Sequence, residues 1–151
     1  MEDLYERLTG LLGRPCDQAT FQNLVNDLNE APEARRVSVR RTEYLFKENG
    51  FQLVSRNETF ESVFLHFGTA PVESGSIKKY SGNLPAEVRF GDDISVVEAK
   101  LGVQFNPSRF FRRNDEDRCE KCRFGQLEAS FYFRGREQTL RSIGVRLADG
   151  S

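Results

Sequence analysis

The sequence predicts an α+β protein of two tandem helix-plus-antiparallel-sheet repeats, the helices packed on one face of the sheets. Three observations lead there. Apolar residues recur at the three-and-four spacing of a helix face over residues 4–28 and again over 94–101. They alternate with polar residues, as half-buried strands do, through much of 35–67 and 126–147. The later strand pair also echoes the earlier one at a shift of 80 positions. With 151 residues, 38% of them hydrophobic and 13 of them Phe, the chain is long and apolar enough for one compact unit.

Leu4, Leu8, Leu11 and Leu12, with Tyr5, define the first helix, which Gly13 and Pro15 end. Asp17 is the expected N-cap of a second helix whose buried stripe is Phe21, Leu24, Val25 and Leu28, closed by Pro32. From Arg35 the period becomes two: Val37, Val39, Tyr44 and Phe46, then strands at 50–55 and 59–67 around a short polar turn, Arg56-Asn57-Glu58. Residues 68–83 concentrate Gly, Ser and Pro and read as a linker. Beyond it, Asp92 or Asp93 caps a helix with Ile94, Val96, Val97 and Leu101 facing inward, ended by Gly102. A charged loop follows, including FFRRNDEDRCEKCR, and then a second hairpin over 126–133 and 139–147.

The shift of 80 pairs Phe51 with Phe131, Leu53 with Phe133, Arg56 with Arg136, Thr59 with Thr139, Ser62 with Ser142 and Val63 with Ile143. Identity at polar positions is what chance alternation does not supply. The expected organisation is therefore a first unit over 1–67, a linker over 68–83 and a second unit over 84–151, in one compact whole.

Chemical signatures are sparse. The formal net charge is −1, against a simple polycation for nucleic acid. No apolar run reaches the length of a membrane helix, and the acidic start MEDLYERL lacks the order of a signal peptide. Three cysteines, an odd number, suit a reducing, cytoplasmic setting better than a disulfide framework. The one histidine, His66, falls in a strand beside Phe64 and has no triad around it; no nucleophile elbow, phosphate loop or dinucleotide fingerprint occurs. Cys119 and Cys122 form a C-x-x-C, a spacing at which two thiolates chelate zinc or exchange disulfides, but only Cys16 and His66 remain as soft partners. The expectation is no metal, no cofactor and no catalytic residue. Arg outnumbers Lys 17 to 5, with clusters at Arg35, Arg36, Arg40 and Arg41 and at Arg109, Arg112 and Arg113 beside Phe110 and Phe111. Guanidinium forks suit carboxylate or phosphate and are enriched at protein interfaces.

Residues 84–102, LPAEVRFGDDISVVEAKLG, resemble a bacterial pattern in which LP-x-G-L-x-F-G-D-S precedes a short helix ending in LG-x-P and an antiparallel sheet follows. Here Ala86-Glu87 replaces the Gly-Leu pair, Val103-Gln104 replaces the closing Pro, and CEKCRF stands where an aromatic W-D-R-Y stretch falls. The pattern resembles the tandem helix-plus-sheet proteins of the β-lactamase-inhibitory-protein type. That resemblance implies a bacterial immunity protein or inhibitor whose sheet face and loops occlude a toxin or enzyme.

The expected function is thus non-enzymatic protein binding, the alternative being a nucleic-acid or phosphate-ligand module built on the Arg clusters. Placing Val63, Leu65 and Phe67, and Ile143, Val145 and Leu147, on the helix side sends Phe60, Phe64 and His66 to the opposite face. Leu140, Gly144, Arg146, Tyr132 and Arg134 share that outward direction. The expected partner-binding residues are Phe60, Phe64, His66, Tyr132, Arg134 and Arg146, with Arg112 and Arg113 on the neighbouring loop. The competing expectation is that the 68–83 or 103–123 segment covers the outward face as a second small core.

Overall fold

A computed structural model describes residues 3–67, 70–72, 75–105, 117–135 and 137–148. Among the described residues three short α-helices, α1 (Leu4–Gly10), α2 (Ala19–Leu28) and α3 (Ile94–Leu101), accompany nine strands. Seven of these form one antiparallel sheet: β1 (Glu33–Arg36), β2 (Arg41–Phe46), β3 (Phe51–Arg56), β4 (Thr59–His66), β7 (Asp117–Phe124), β8 (Leu127–Arg134) and β9 (Thr139–Leu147). Their order across the sheet is β1-β2-β3-β4-β9-β8-β7. Strands β5 (Ala70–Val72) and β6 (Gly75–Ile77) make a separate small hairpin. Among the described residues no helix is long and apolar enough to cross a membrane.

The class is α+β, but the two tandem helix-plus-sheet repeats do not form. The strands of both halves join through β4 and β9 into a single sheet, and the three helices are short. The strand pairing also revises the comparison of the two hairpins. In the second strands the shift of 80 holds: Thr59 and Thr139 open them, and each carries one extra residue, Glu61 or Arg141, that bulges out of the ladder. In the first strands the shift is 78, aligning Arg56 with Arg134 and Leu53 with Phe131. The connection over 135–138 is two residues longer than the Asn57-Glu58 turn. Two is an even number, so inward and outward positions kept their faces despite the misalignment.

The bulges have a local cause. Phe60 N–H donates to Arg14 O, and Phe60 O accepts from Gly13 N–H, while Cys16 N–H donates to Glu58 O. The link between α1 and α2 thus lies along the start of β4. Residues 91–92 lie along β9 in the same way, through Gly91 N–H to Leu140 O and Leu140 N–H to Asp92 O. An extra residue turns Phe60 and Leu140 toward the helices, where they are 1% and 0% exposed.

One core results. Leu8, Leu24 and Val97 from the three helices pack with Leu53, Val63, Leu65, Phe131, Ile143 and Val145 from one sheet face. Phe21 of α2 stands edge-on to Phe60 at 4.9 Å and to Tyr44 at 5.4 Å between ring centroids. Leu147, expected inside, is 41% exposed at the end of β9.

Helix ends follow side-chain chemistry with small shifts. Asp3 accepts from Tyr5 N–H at the start of α1, and Asp93 from Val96 N–H at the start of α3, which Gly102 closes at φ 69°. The N-cap of α2 is Gln18, not Asp17, and Asn29 ends it in a left-handed conformation at φ 52°. Val37 and Val39 are not strand residues. They lie in the turn between β1 and β2, and Val39 is 83% exposed. The charged stretch 117–124, expected as loop, is the edge strand β7. Charged side chains on such an edge discourage pairing with another chain. The stretch 68–83 contains the β5–β6 hairpin, and its Ile77 and Tyr80 are buried.

The β3–β4 turn places both Asn57 (φ 53°) and Glu58 (φ 63°) in the left-handed region, the geometry for which Asn-Gly is favoured. Glu58 is exposed and has a Cβ where Gly has none. Replacing it by Gly is expected to raise unfolding stability by about 0.5–1 kcal/mol, read as a higher urea midpoint with unchanged slope.

Candidate outward-face site

Strand alternation puts Arg41, Glu43 and Leu45 of β2, Gln52 and Val54 of β3, and Ser62, Phe64 and His66 of β4 on the face away from the helices. Gly144 and Arg146 of β9, Glu128, Ser130 and Tyr132 of β8, and Cys119 and Lys121 of β7 continue it. The two halves of this face differ. On the β2–β3 side Leu45 and Val54 are fully buried, as is Ile77, and all three lie outside the main core cluster. The chain after β6 is fastened at that end by Lys78 N–H to Lys47 O (2.7 Å) and Tyr80 N–H to His66 O (2.9 Å). This half is closed.

His66 belongs to the closed half. Its Nε2 lies 3.1 Å from Gln52 Oε1, within hydrogen-bond distance. Burial lowers its pKa to about 4. It is a neutral, half-buried imidazole on the same face as Phe64.

The other half opens into a groove of about 260 Å³. Its floor is made where β4 meets β9: Phe64 pairs with Gly144, and the Phe64 ring lies where a Cβ on Gly144 would come within 2.8 Å of Cε1. A side chain at position 144 would force the ring to shift. Tyr132 and Ser130 continue the floor onto β8, and Lys121 closes it on β7. Arg146 lines it opposite Ser62, its Nε 3.2 Å from Glu128 Oε1. At the far corner Arg41 and Arg56 pair directly across β2 and β3. The bulged Glu61 reaches Arg56 Nε at 3.4 Å. Arg41 Nε is buried and has no hydrogen-bond partner among the described residues.

The expected site residues are therefore divided. Phe64, Tyr132 and Arg146 line one groove, while Phe60 is core and the half-buried His66 does not line the groove. Leu140, also expected outward, is core. Arg134 is exposed at the end of β8 and does not line the groove. Arg112 and Arg113, like Arg109, Phe110 and Phe111, lie outside the described residues. Two of the arginines of the first cluster are engaged: Arg35 pairs with Glu43 at 3.2 Å, and Arg36 donates to the carbonyls of Ser38 and Val39. Sequence reasoning missed Arg41, Arg56 and Lys121 as groove residues. In the sequence Arg41 belongs to a basic cluster, Lys121 to the charged stretch expected as loop and Arg56 to the polar turn, so none is placed on the face of Phe64.

Cys119 and Cys122 point to opposite faces of β7. Cys119 faces outward beside Tyr132 and Ser130, whereas Cys122 packs against the core. Thiols three apart on a strand do not converge, so the pair holds neither a disulfide nor a shared metal. Burial raises both thiol pKa values; hydrogen bonds from Tyr132 and Ser130 offset part of the effect at Cys119. Among the described residues no cluster of three or more His, Cys, Asp or Glu is placed to hold a metal.

The fold is similar to part of a cysteine-rich secretory protein from Staphylococcus aureus subsp. aureus Mu50, at a TM-score of 0.60 and 12% sequence identity. The likeness covers 97% of this chain and 46% of that one, so the chain spans about half the neighbour's length. At this identity it is a likeness of fold alone. No protein-family model and no curated protein matches the chain.

The site makes two predictions. Because His66 is held neutral, with its folded pKa below the ordinary 6.5, protons favour the unfolded chain. Stability is expected to hold above about pH 6.5 and to fall as pH drops toward 4, by up to about 1.4 kcal/mol per pH unit. Urea midpoints at pH 7, 6 and 5 measure the slope, which His66→Gln should flatten. For the thiols, Cys119→Ser with Cys122→Ser should leave the fold intact and bound zinc unchanged at below one equivalent. Circular dichroism and metal analysis of the purified protein check both.

Proposed function

We propose that this protein is a non-enzymatic protein-binding module that docks a partner on the open half of its outward sheet face. The observation that carries this reading is the groove in which Phe64 and Tyr132 are flanked by Arg41, Arg56, Lys121 and Arg146. Aromatic and Arg side chains in one partly enclosed depression have the composition of interface hot spots. The backbone beneath is the middle of a seven-stranded sheet, so little conformational entropy is lost when a partner settles on it. Unpaired cysteines at 16, 119 and 122 suit a reducing compartment, and we place the protein in the cytoplasm. An immunity or inhibitor role is the specific form the motif at residues 84–102 implies.

The test begins with a tagged protein cross-linked in its host and its partner identified by mass spectrometry. With that partner purified, Tyr132→Ala is expected to weaken binding by about 2 kcal/mol, roughly thirtyfold. Val96→Ala, on the helix side, should leave affinity unchanged. Full affinity in a folded Tyr132→Ala protein overturns the docking face.

A further inference from the structure

We infer that the groove's occupant is an acidic, extended peptide segment of the partner, with a carboxylate seated between Arg41 and Arg56; this deepens the docking reading above and rests on it. The first argument is a charge mismatch within the groove. Arg41 and Arg56 are direct cross-strand neighbours, and like charges so placed repel each other. Among the described residues lining the groove, Glu61 is the one carboxylate, and it reaches Arg56. The second argument is the buried Arg41 Nε, which has no acceptor among the described residues. An unmade donor inside leaves the Arg41 guanidinium without an internal partner at Nε, and a carboxylate in the groove that Arg41 and Arg56 line would neutralise the two neighbouring guanidiniums.

A third argument comes from the opposite end. Lys121 is exposed and forms no ion pair among the described residues, so cationic positions bracket an aromatic floor. An extended chain carries side chains alternately to its two sides. Acidic residues at its ends and an apolar residue between them therefore match Arg41 and Arg56, then Phe64 and Tyr132, then Lys121. A nucleic-acid strand fits less well. Its phosphates are continuous, whereas Glu61 lines this groove and Glu128 stands beside Arg146. A strand crossing the face would meet both carboxylates.

The full chain can be titrated with fluorescein-labelled decapeptides by anisotropy at low salt. The probes are an alternating Glu/Phe peptide, the same peptide with Lys for Glu, and a ten-residue oligothymidine. Saturable binding of the Glu/Phe peptide is expected, with amide shifts at Phe64, Ser130, Tyr132 and Gly144, and none for the Lys peptide. Arg41→Gln should weaken it about tenfold or more. Should that variant misfold, Lys121→Gln at an exposed position gives a second reading, expected at about threefold. Equal binding of the Lys peptide, wild-type affinity in both variants, or tighter binding of the oligonucleotide overturns the inference. The two levels separate cleanly. If no peptide binds but Tyr132→Ala still costs affinity for the purified partner, the acidic occupant falls and the docking face stands. If Tyr132→Ala leaves partner affinity unchanged, the docking face falls.

Discussion

The pairing of β4 with β9 is the contact on which both faces of the molecule depend. Five residue pairs run from Ser62–Arg146 to His66–Ser142, with Phe64 opposite Gly144 at the centre. Because side chains alternate, this one register sends Val63, Leu65, Ile143 and Val145 to the helices and Phe64, Gly144 and Arg146 to the groove. A slip of one residue would expose the first group and bury a guanidinium, so the apolar set and the close fit of the Phe64 ring on Gly144 hold the same register from opposite sides.

The two bulges extend that control to the ends of the strands. A regular β4 would point Phe60 outward with Phe64. The extra residue Glu61 instead turns it inward onto Phe21 and Tyr44, so that α2 has an aromatic seat. The same step leaves Glu61 at the groove corner next to Arg56. Arg141 is the corresponding extra residue of β9; it lies over the Phe67 ring at 4.7 Å. Core packing and the charge pattern of the surface are thus set by the same irregularities of backbone.

The groove also shows how local charge escapes a whole-chain sum. The formal net charge is −1, yet among the described residues four cationic side chains and one carboxylate line this depression. Some of the acids are used elsewhere as caps and ion pairs: Asp93 on α3, Glu43 with Arg35, and Asp92 with Lys100 at 2.8 Å. Screening confines such a field to about 8–10 Å, so the local arrangement matters more than the total for a docking segment.

The sequence by itself determined the elements whose cause is local. The periods of 3.6 and 2, a cap at Asp92 or Asp93 and the Gly102 stop of α3, and a polar turn around Arg56-Asn57-Glu58 all follow from residues within a few positions of one another. Only the structure chose Asp93 and a two-residue turn. It also determined the face of Val63, Leu65, Ile143 and Val145, because alternation survives any even error in alignment. The joining of both hairpins into one sheet was decided only in three dimensions. Hydrogen bonds between β4 and β9 link residues some eighty positions apart and leave no periodic trace. The same is true of β7, whose charged residues read as loop until β8 supplies a partner, and of Phe60 and Leu140, turned inward by backbone bonds from residues 13–14 and 91–92. The groove lay beyond sequence for the same reason. Arg41, Arg56 and Lys121 belong to three strands, and only the order of strands in the sheet brings them around Phe64 and Tyr132.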